Sequence, residues 1–442
     1  MLVPQDLNSR ADRVAVSTSF CGSGKRLVMR ILIVSQFCPP EVAAGGSRVY
    51  ENAERWSRAG HKVTILTGLP NHPSGKVLPG YRWRLVQREM RGQVTVVRVG
   101  SLVAPNTSTR NRLRAYLSLM MAQILFSVFA GRADVVIGTS PPLFTAFAAY
   151  AISVLKRCPF VFDVRDLWPE NMVAVGALHD GLSLKMMARL ESFLYRKAKL
   201  IAPVTRGFER YIRDKGVASE RIRVSPNGVD RATCQPVQYP HDLARKLEVE
   251  GKTVVAYIGT IGINQGLGLV LDAAAELRDC PDVAFLIVGD GAERELLEKT
   301  ARKRRLANVR FVGERPREEM QSFHALADVL LIVLQKADYF RMVMPSKLLV
   351  AMAMGRPVLA SLEGEAQELI EATGSGVVVE PRDPHALAEA VRRLHADKAA
   401  GRLRKMGANG RKHVLSNFDR DILAEEYCRQ LLRVALNGRA AS

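Results

Sequence analysis

The sequence is poor in aromatic residues, 6% of the chain, and its six cysteines (Cys21, Cys38, Cys158, Cys234, Cys280, Cys428) are scattered without a C-x-x-C pair. Such spacing excludes a disulfide scaffold and a zinc knuckle, and suits a reducing compartment. No DxD-like carboxylate pair stands where it would hold a metal. No apolar run reaches the ~20 residues that cross a bilayer comfortably; the longest, Ala115–Ala130, has 16. A recognition-helix motif and an RNP-like aromatic string are missing as well, so nucleic acid is not an expected partner. Neither glycine-rich turn spells G-x-G-x-x-G with an acidic residue about 20 positions on, which sets aside a dinucleotide oxidoreductase. No tandem repeat of solenoid period is present. Met1–Lys25 is polar and Ile31–Val34 is too short for a secretory h-region, so the globular part is expected to begin at Met29. Residues 1–28 then read as a loose extension or the product of an unused upstream start codon. Their GSGK, Gly22–Lys25, lacks the earlier Gly and the Ser/Thr of a P-loop.

What is present is an ordinary globular composition, 48% hydrophobic over 442 residues, enough for two or three domains. The net charge of +20 is concentrated: residues 1–200 carry 27 Lys+Arg against 12 Asp+Glu. A basic first half attracts phosphates, including those of an anionic membrane leaflet. One segment fits such a surface. Arg110, Arg112 and Arg114 lead into AYLSLMMAQILFSVFA, and Arg132 closes it. It reads either as a buried helix of the first domain or as a helix bedded in the interface with its arginines on headgroups.

Strand and helix patterns alternate throughout, the signature of parallel sheets covered on both faces. Strands are expected at 30–35, 62–67, 95–99, 135–139, 160–164 and 200–203, then at 254–258, 284–288, 309–312, 329–333, 357–360 and 377–379. The stretch SPNGVDRATCQPVQYPHD, with Asn-Gly and three prolines, marks a linker. The expected organisation is α/β: two Rossmann-like doubly wound domains facing a cleft, at 29–228 and 229–415, with a last segment, 416–442, whose helix has no following strand and returns to the first domain.

The most informative stretch is MPSKLLVAMAMGRPVLAS, Met344–Ser361. A helix opening at Ser346 after Pro345 presents free backbone N–H groups and a positive dipole end, where a diphosphate can sit. Two strand–Gly–helix starts, MRILIVSQFCPPEVAAGGSRVYENAERW and VVAYIGTIGINQGLGLVLDAAAEL, add a nucleotide-type turn to each half. With TSPPLF, FDVRDLWPE, VSPNGVD, LIVGDGAERELL and FVGERPREEM in order along the chain, the sequence resembles the GT-B glycosyltransferases of retaining family 4. It is most similar to the subgroup of colanic-acid and O-antigen enzymes that includes the N-acetyl-L-fucosamine transferases. The resemblance implies metal-independent, retaining transfer of a sugar from a UDP-sugar, with a GDP-sugar as the alternative, and no cofactor. The acceptor it implies is a lipid-carried envelope glycan, such as one linked to polyprenyl diphosphate, at the inner face of the cytoplasmic membrane.

Residue roles follow block by block. Gly45 and Gly46 are expected to let the first-domain loop approach the donor phosphates, and Gly259 and Gly262 form the corresponding turn in the second domain. The family usually has a basic pair there; this chain has Thr260 and Gln265, which shifts the phosphate charge onto Lys347, aided by the backbone of Ser346. The family's two glutamates, eight positions apart, fall on Met342 and Val350, neither of which can accept a ribose hydroxyl. Glu363 and Glu365 are the nearby carboxylates, read either as substitutes or as loop and helix-start charges. In FDVRDLWPE, Arg165 is a candidate clamp for a phosphate or leaving diphosphate, and Asp166 or Glu170 a candidate acceptor of the acceptor's proton, with His72 a further candidate. Gly289, before Asp290, suits a nucleotide wall, and Gly313 in FVGERP flanks the base through backbone groups. Two alternatives stay open: a catalytically silent partner in polysaccharide assembly, suggested by the missing glutamates, and a UDP-sugar 2-epimerase, which would leave the apolar helix unexplained.

Overall fold

The computed structural model describes residues 27–41, 44–72, 75–103, 109–176 and 181–440. Among these residues the chain forms two sheets. The first holds β1 (Arg30–Val34), β2 (Lys62–Gly68), β3 (Val86–Arg91), β4 (Val94–Val99), β5 (Val135–Ser140), β6 (Phe160–Val164) and β7 (Leu200–Pro203) in the order β3-β4-β2-β1-β5-β6-β7. All pairings are parallel except β3 with β4. The second holds β8 (Thr253–Ile258), β9 (Val283–Val288), β10 (Val309–Gly313), β11 (Val329–Val333), β12 (Val358–Ser361) and β13 (Gly376–Val379), all parallel, in the order β10-β9-β8-β11-β12-β13.

The reason lies in the strand sequences. VAFLIV of β9 and VLLIV of β11 are buried at every position, as strands covered on both faces must be. Strand β3 was not expected: its VQREMR is charged and half-exposed because it is an edge strand turned back on β4 at Gly92, φ +56°. In each sheet the strand order reverses once, between β1 and β5 and between β8 and β11. In sheets of this kind ligands bind outside the carboxyl ends at such switch points.

The two carboxyl edges face one another. Residues following β6 and β7 touch residues following β11 and β12: Tyr339 donates to Asp166, and Thr205 Oγ1 donates to the Met342 carbonyl at 2.8 Å. Glu365 accepts the backbone N–H of Arg206 and of Gly207, at 3.1 and 2.7 Å. A carboxylate there complements the positive end of the helix Arg206–Asp214. The chain crosses between the sheets near Val229 and again near Asp419, and these crossings pair through Val229 N–H to Phe418 and Arg420 N–H to Val229. The last helix, Arg420–Ala440, lies on the helix Ala44–Arg58: Trp56 Nε1 donates to the Ala424 carbonyl at 2.8 Å, and its ring meets Tyr427 edge-on. Tyr427, Leu431 and Ala435 thereby join the core beneath β1 and β2.

The apolar segment forms the helix Thr109–Leu125 with a tighter continuation, Phe126–Ala130. Leu119, Ala122 and Gln123 face inward, and Gln123 Nε2 donates to the carbonyls of Ser35 and Leu66 at 3.0 and 3.4 Å. The opposite face is open. Leu113, Leu117, Met121 and Leu125, spaced by one helical turn, are 45, 38, 49 and 66% exposed, and Val128 and Phe129 continue the stripe at 70 and 55%. The expectation of a buried helix thus holds for one face, and the other face is exposed.

Candidate active site

On the second domain the site is built around the helix Ser346–Ala353. Pro345 holds the extended conformation before it (φ −63°, ψ 127°), and Leu348, Leu349, Ala351, Met352 and Ala353 bury its inner face. That leaves Ser346 and Lys347 at the free N–H end. The Lys347 side chain folds inward: Nζ donates to the Tyr257 hydroxyl at 2.5 Å and lies 4.2 Å from that ring's centroid. Tyr257 in turn donates to the Thr260 carbonyl at 2.5 Å. A Cβ on Gly259 would come 3.3 Å from Lys347 Nζ, so the glycine keeps the space before the ammonium clear. Burial pulls Lys347 down from 10.5 to about 7, and no carboxylate among the described residues offsets it. A cation so placed is poised for an anionic ligand.

The turns behind this lysine stack on one another. Gly289, at φ +138°, has its N–H on the Gly313 carbonyl at 3.0 Å, and Gly259 has its N–H on the Val288 carbonyl at 2.9 Å. A Cβ on Gly289 would lie 2.0 Å from the Gly259 carbonyl oxygen, so a side chain there would force the two turns apart. Asp290 caps its own turn by accepting the Gly291 N–H at 2.8 Å. Gln265 closes the next turn, its Oε1 accepting the Gly262 N–H at 3.1 Å. That oxygen is therefore spent on the loop. Val350 packs against the core, and Met342 is an inter-domain contact through its carbonyl and through Gly207.

On the first domain, Gly45 and Gly46 lie in the first turn of the helix Ala44–Arg58 rather than in a loop before it. The absence of a Cβ at Gly46 serves Phe37, whose Cβ would be 3.1 Å away. Arg165 donates from Nε to the Ser140 carbonyl at 3.2 Å, while its Nη1 is buried without a partner among the described residues. Burial lowers its proton affinity, Asp163 and Asp166 oppose this, and Arg48 adds to it. As an arginine it keeps its charge. Asp166 accepts from Asn171 on one oxygen and from Tyr339 on the other; burial pushes it up to about 6 against these donors.

Glu170 is engaged through Oε1, to which Tyr211 donates and from which Lys215 lies 3.6 Å away, while its Oε2 is buried without a partner among the described residues. Glu191, in the same group, is pushed up to about 7 by burial and the Glu170 charge. His72 stands beside Phe37, ring centroids 5.1 Å apart, with its backbone N–H on Glu41.

Four residues of this site carried no role in the sequence reading. Glu41, following CPP, is buried and gathers the N–H groups of Cys38, Asn71 and His72. Arg48 fixes the linker by donating to the carbonyls of Ser225 and Pro226 at 2.8 and 2.6 Å and meets Asp163 at 3.5 Å. Tyr257 and Tyr339 hold Lys347 and Asp166. A tyrosine within a buried strand was the available signal for Tyr257; nothing local marks Tyr339, whose partner is 173 positions away. Among the described residues, no group of three or more His, Cys, Asp or Glu is disposed to hold a metal ion.

Two α/β sheets with facing carboxyl edges, a lysine at the β8/β11 switch point and an arginine at the carboxyl end of β6, define a GT-B architecture. Comparison with known proteins agrees. Residues 240–413 match the family described as glycosyl transferases group 1, and residues 44–228 the glycosyl transferase 4-like domain. The putative colanic acid biosynthesis glycosyl transferase WcaI of Escherichia coli is 30% identical, over 82% of this chain and 91% of its own. The probable glycosyltransferase WbjE of Pseudomonas aeruginosa is also 30% identical, over 79% and 92%. Among solved structures, sucrose-phosphate synthase from Thermosynechococcus elongatus superimposes with a TM-score of 0.75 at 20% identity, covering 94% of this chain and 100% of that one. Anabaena Alr3699/HepE in complex with UDP-glucose gives 0.67 at 18%, covering 92% and 100%. The protein belongs to the group 1, family 4-like glycosyltransferases and is related to an enzyme of colanic acid biosynthesis.

Proposed function

We propose that this glycosyltransferase takes a hexosyl or N-acetylhexosaminyl group from a UDP-sugar and passes it, with retention and without a metal ion, to a lipid-carried glycan of the bacterial envelope. The observation that carries the reading is the buried ammonium of Lys347, held on Tyr257 before Gly259 with no carboxylate partner among the described residues. The donor diphosphate is assigned to this ammonium and to the N–H groups of Ser346 and Lys347, which together stabilise the charge that grows on the leaving group. A uridine base is favoured because a structural relative of the same fold was solved with UDP-glucose. Arg165, whose Nη1 has no partner among the described residues, is the first-domain phosphate clamp. Asp166, pushed up to about 6, and Glu170, whose buried Oε2 has no partner among the described residues, are the candidate proton acceptors.

The exposed stripe from Leu113 to Phe129 is read as a face lying on an anionic membrane, with Arg110, Arg114 and Arg132 at its ends. The segment Arg110–Ala130 is long and apolar enough to cross a membrane, but the inward Gln123 ties it to the first sheet, which favours lying on the surface. The test is a thermal-shift titration with UDP, GDP and several UDP-sugars on the intact protein and on Lys347→Ala, followed by transfer to a lipid-linked acceptor. Stabilisation by UDP that the substitution removes supports the reading. No shift with any nucleotide overturns it in favour of a silent partner, consistent with Met342 and Val350 at the positions of the family's glutamates.

A further inference from the structure

A cavity lies at the opposite, amino edge of the first sheet. Of about 450 Å³, it opens where the helix Leu143–Leu155 ends, where β6 and β7 begin, and where the last turns of the helix Arg420–Ala440 pass. Its wall is apolar, with Tyr150, Pro159, Phe160 and Val434, and its rim carries Arg157, Lys197 and Lys199, all exposed. Among the described residues, no carboxylate lines it. Beside the rim, Lys156 Nζ donates to the Gly131 carbonyl at 2.5 Å, which joins this corner to the end of the exposed stripe at Val128 and Phe129. Val154 and Leu155, also exposed, bridge the two.

We propose that this pocket binds the headgroup of an anionic phospholipid. The inference rests on the membrane-facing reading of the stripe and adds a defined headgroup site to it. Three cations around an apolar wall match a phosphodiester whose acyl chains leave across Val154 and Leu155. A free phosphate would use the cations alone and leave the wall empty. The stripe helix begins near the carboxyl edge, where Tyr116 meets Trp168, and ends beside this pocket. Lipid bound here would fix how the cleft is presented to a lipid-carried acceptor.

The experiment is calorimetric titration of the full chain with monomeric dihexanoyl phosphatidylglycerol, dihexanoyl phosphatidylcholine and inorganic phosphate, alongside sedimentation with vesicles containing phosphatidylglycerol. The expected result is binding of the short-chain phosphatidylglycerol at least about tenfold tighter than either comparison ligand, weakened about tenfold or more by Lys197→Ala with Lys199→Ala. UDP binding should be unchanged in that variant. Leu125→Glu with Phe129→Glu should lose vesicles but keep the short-chain lipid. Phosphatidylglycerol that binds no tighter than phosphate, or equally well after the lysine substitutions, overturns the pocket. Wild-type protein that takes the short-chain lipid and ignores vesicles overturns the membrane-face reading and upholds the pocket.

Discussion

Lys347 makes donor binding a function of pH, with a sign that the structure determines. Burial holds the free lysine down to about 7, well below its ordinary value of 10.5. A diphosphate beside the ammonium favours the charged form and raises it again. Binding therefore takes up a proton at and above neutrality. Half of the free protein carries the ammonium at pH 7 and about 3% at pH 8.5, so the affinity for UDP should fall about 15-fold between them. The terminal phosphate of UDP titrates near pH 6 and changes little in this window. Folding stability without ligand should move the opposite way. The unfolded chain holds more protons on this residue between pH 7 and 10.5, so its contribution makes the free protein more stable as pH rises through that window. Calorimetric titration of UDP at pH 7.0, 7.75 and 8.5, with thermal melts of the free protein, reads both slopes. Lys347→Arg, always charged, should flatten the binding slope, and Lys347→Met should bind weakly at every pH. A wild-type affinity that changes less than about threefold, or an equal slope in Lys347→Met, would refute the assignment.

Three further outcomes are expected. Tyr339→Phe removes a donor that lowers Asp166, so the acid limb of the pH–rate profile should move upward from about 6 while the melting temperature changes little; an unmoved limb excludes Asp166 as the titrating group. Gly289→Ala places a Cβ 2.0 Å from the Gly259 oxygen at φ +138° and should cost about 2–4 kcal/mol, read by denaturant unfolding. Leu125→Glu and Phe129→Glu each remove about 1–2 kcal/mol of apolar burial on a membrane, about tenfold in vesicle affinity per substitution, without loss of UDP binding in solution.

Much of the scaffold was legible because its signals are local. Strands such as VAFLIV and VLLIV announce double burial by composition, and twelve of them were readable in this way. The edge strand β3 escaped because VQREMR has one partner strand and little burial, so its sequence carries no strong pattern. Lys347 was visible as a cation beside a helix start, where a lysine is otherwise mildly unfavourable. Its perturbation was not, because the ring that covers it is 90 positions away. Gly45 and Gly46 read as a loop before the helix, whereas the helix begins at Ala44 and Gly46 is small to admit Phe37.

Periodicity and turn chemistry in the sequence alone determined the α/β class, the number of switch-point turns and the residues available at each carboxyl edge, since these depend on neighbours within a few positions. Which of those residues are free to act was decided by the tertiary structure. One oxygen of Glu170 is held by Tyr211 and Lys215 while the other is buried without a partner among the described residues. Glu365 is tied to the start of the helix Arg206–Asp214, and Asp166 is tied to Tyr339 across the domains. A side chain's proton affinity and its open valences depend on what burial and distant partners do to it. Those partners meet only when the two sheets close on each other.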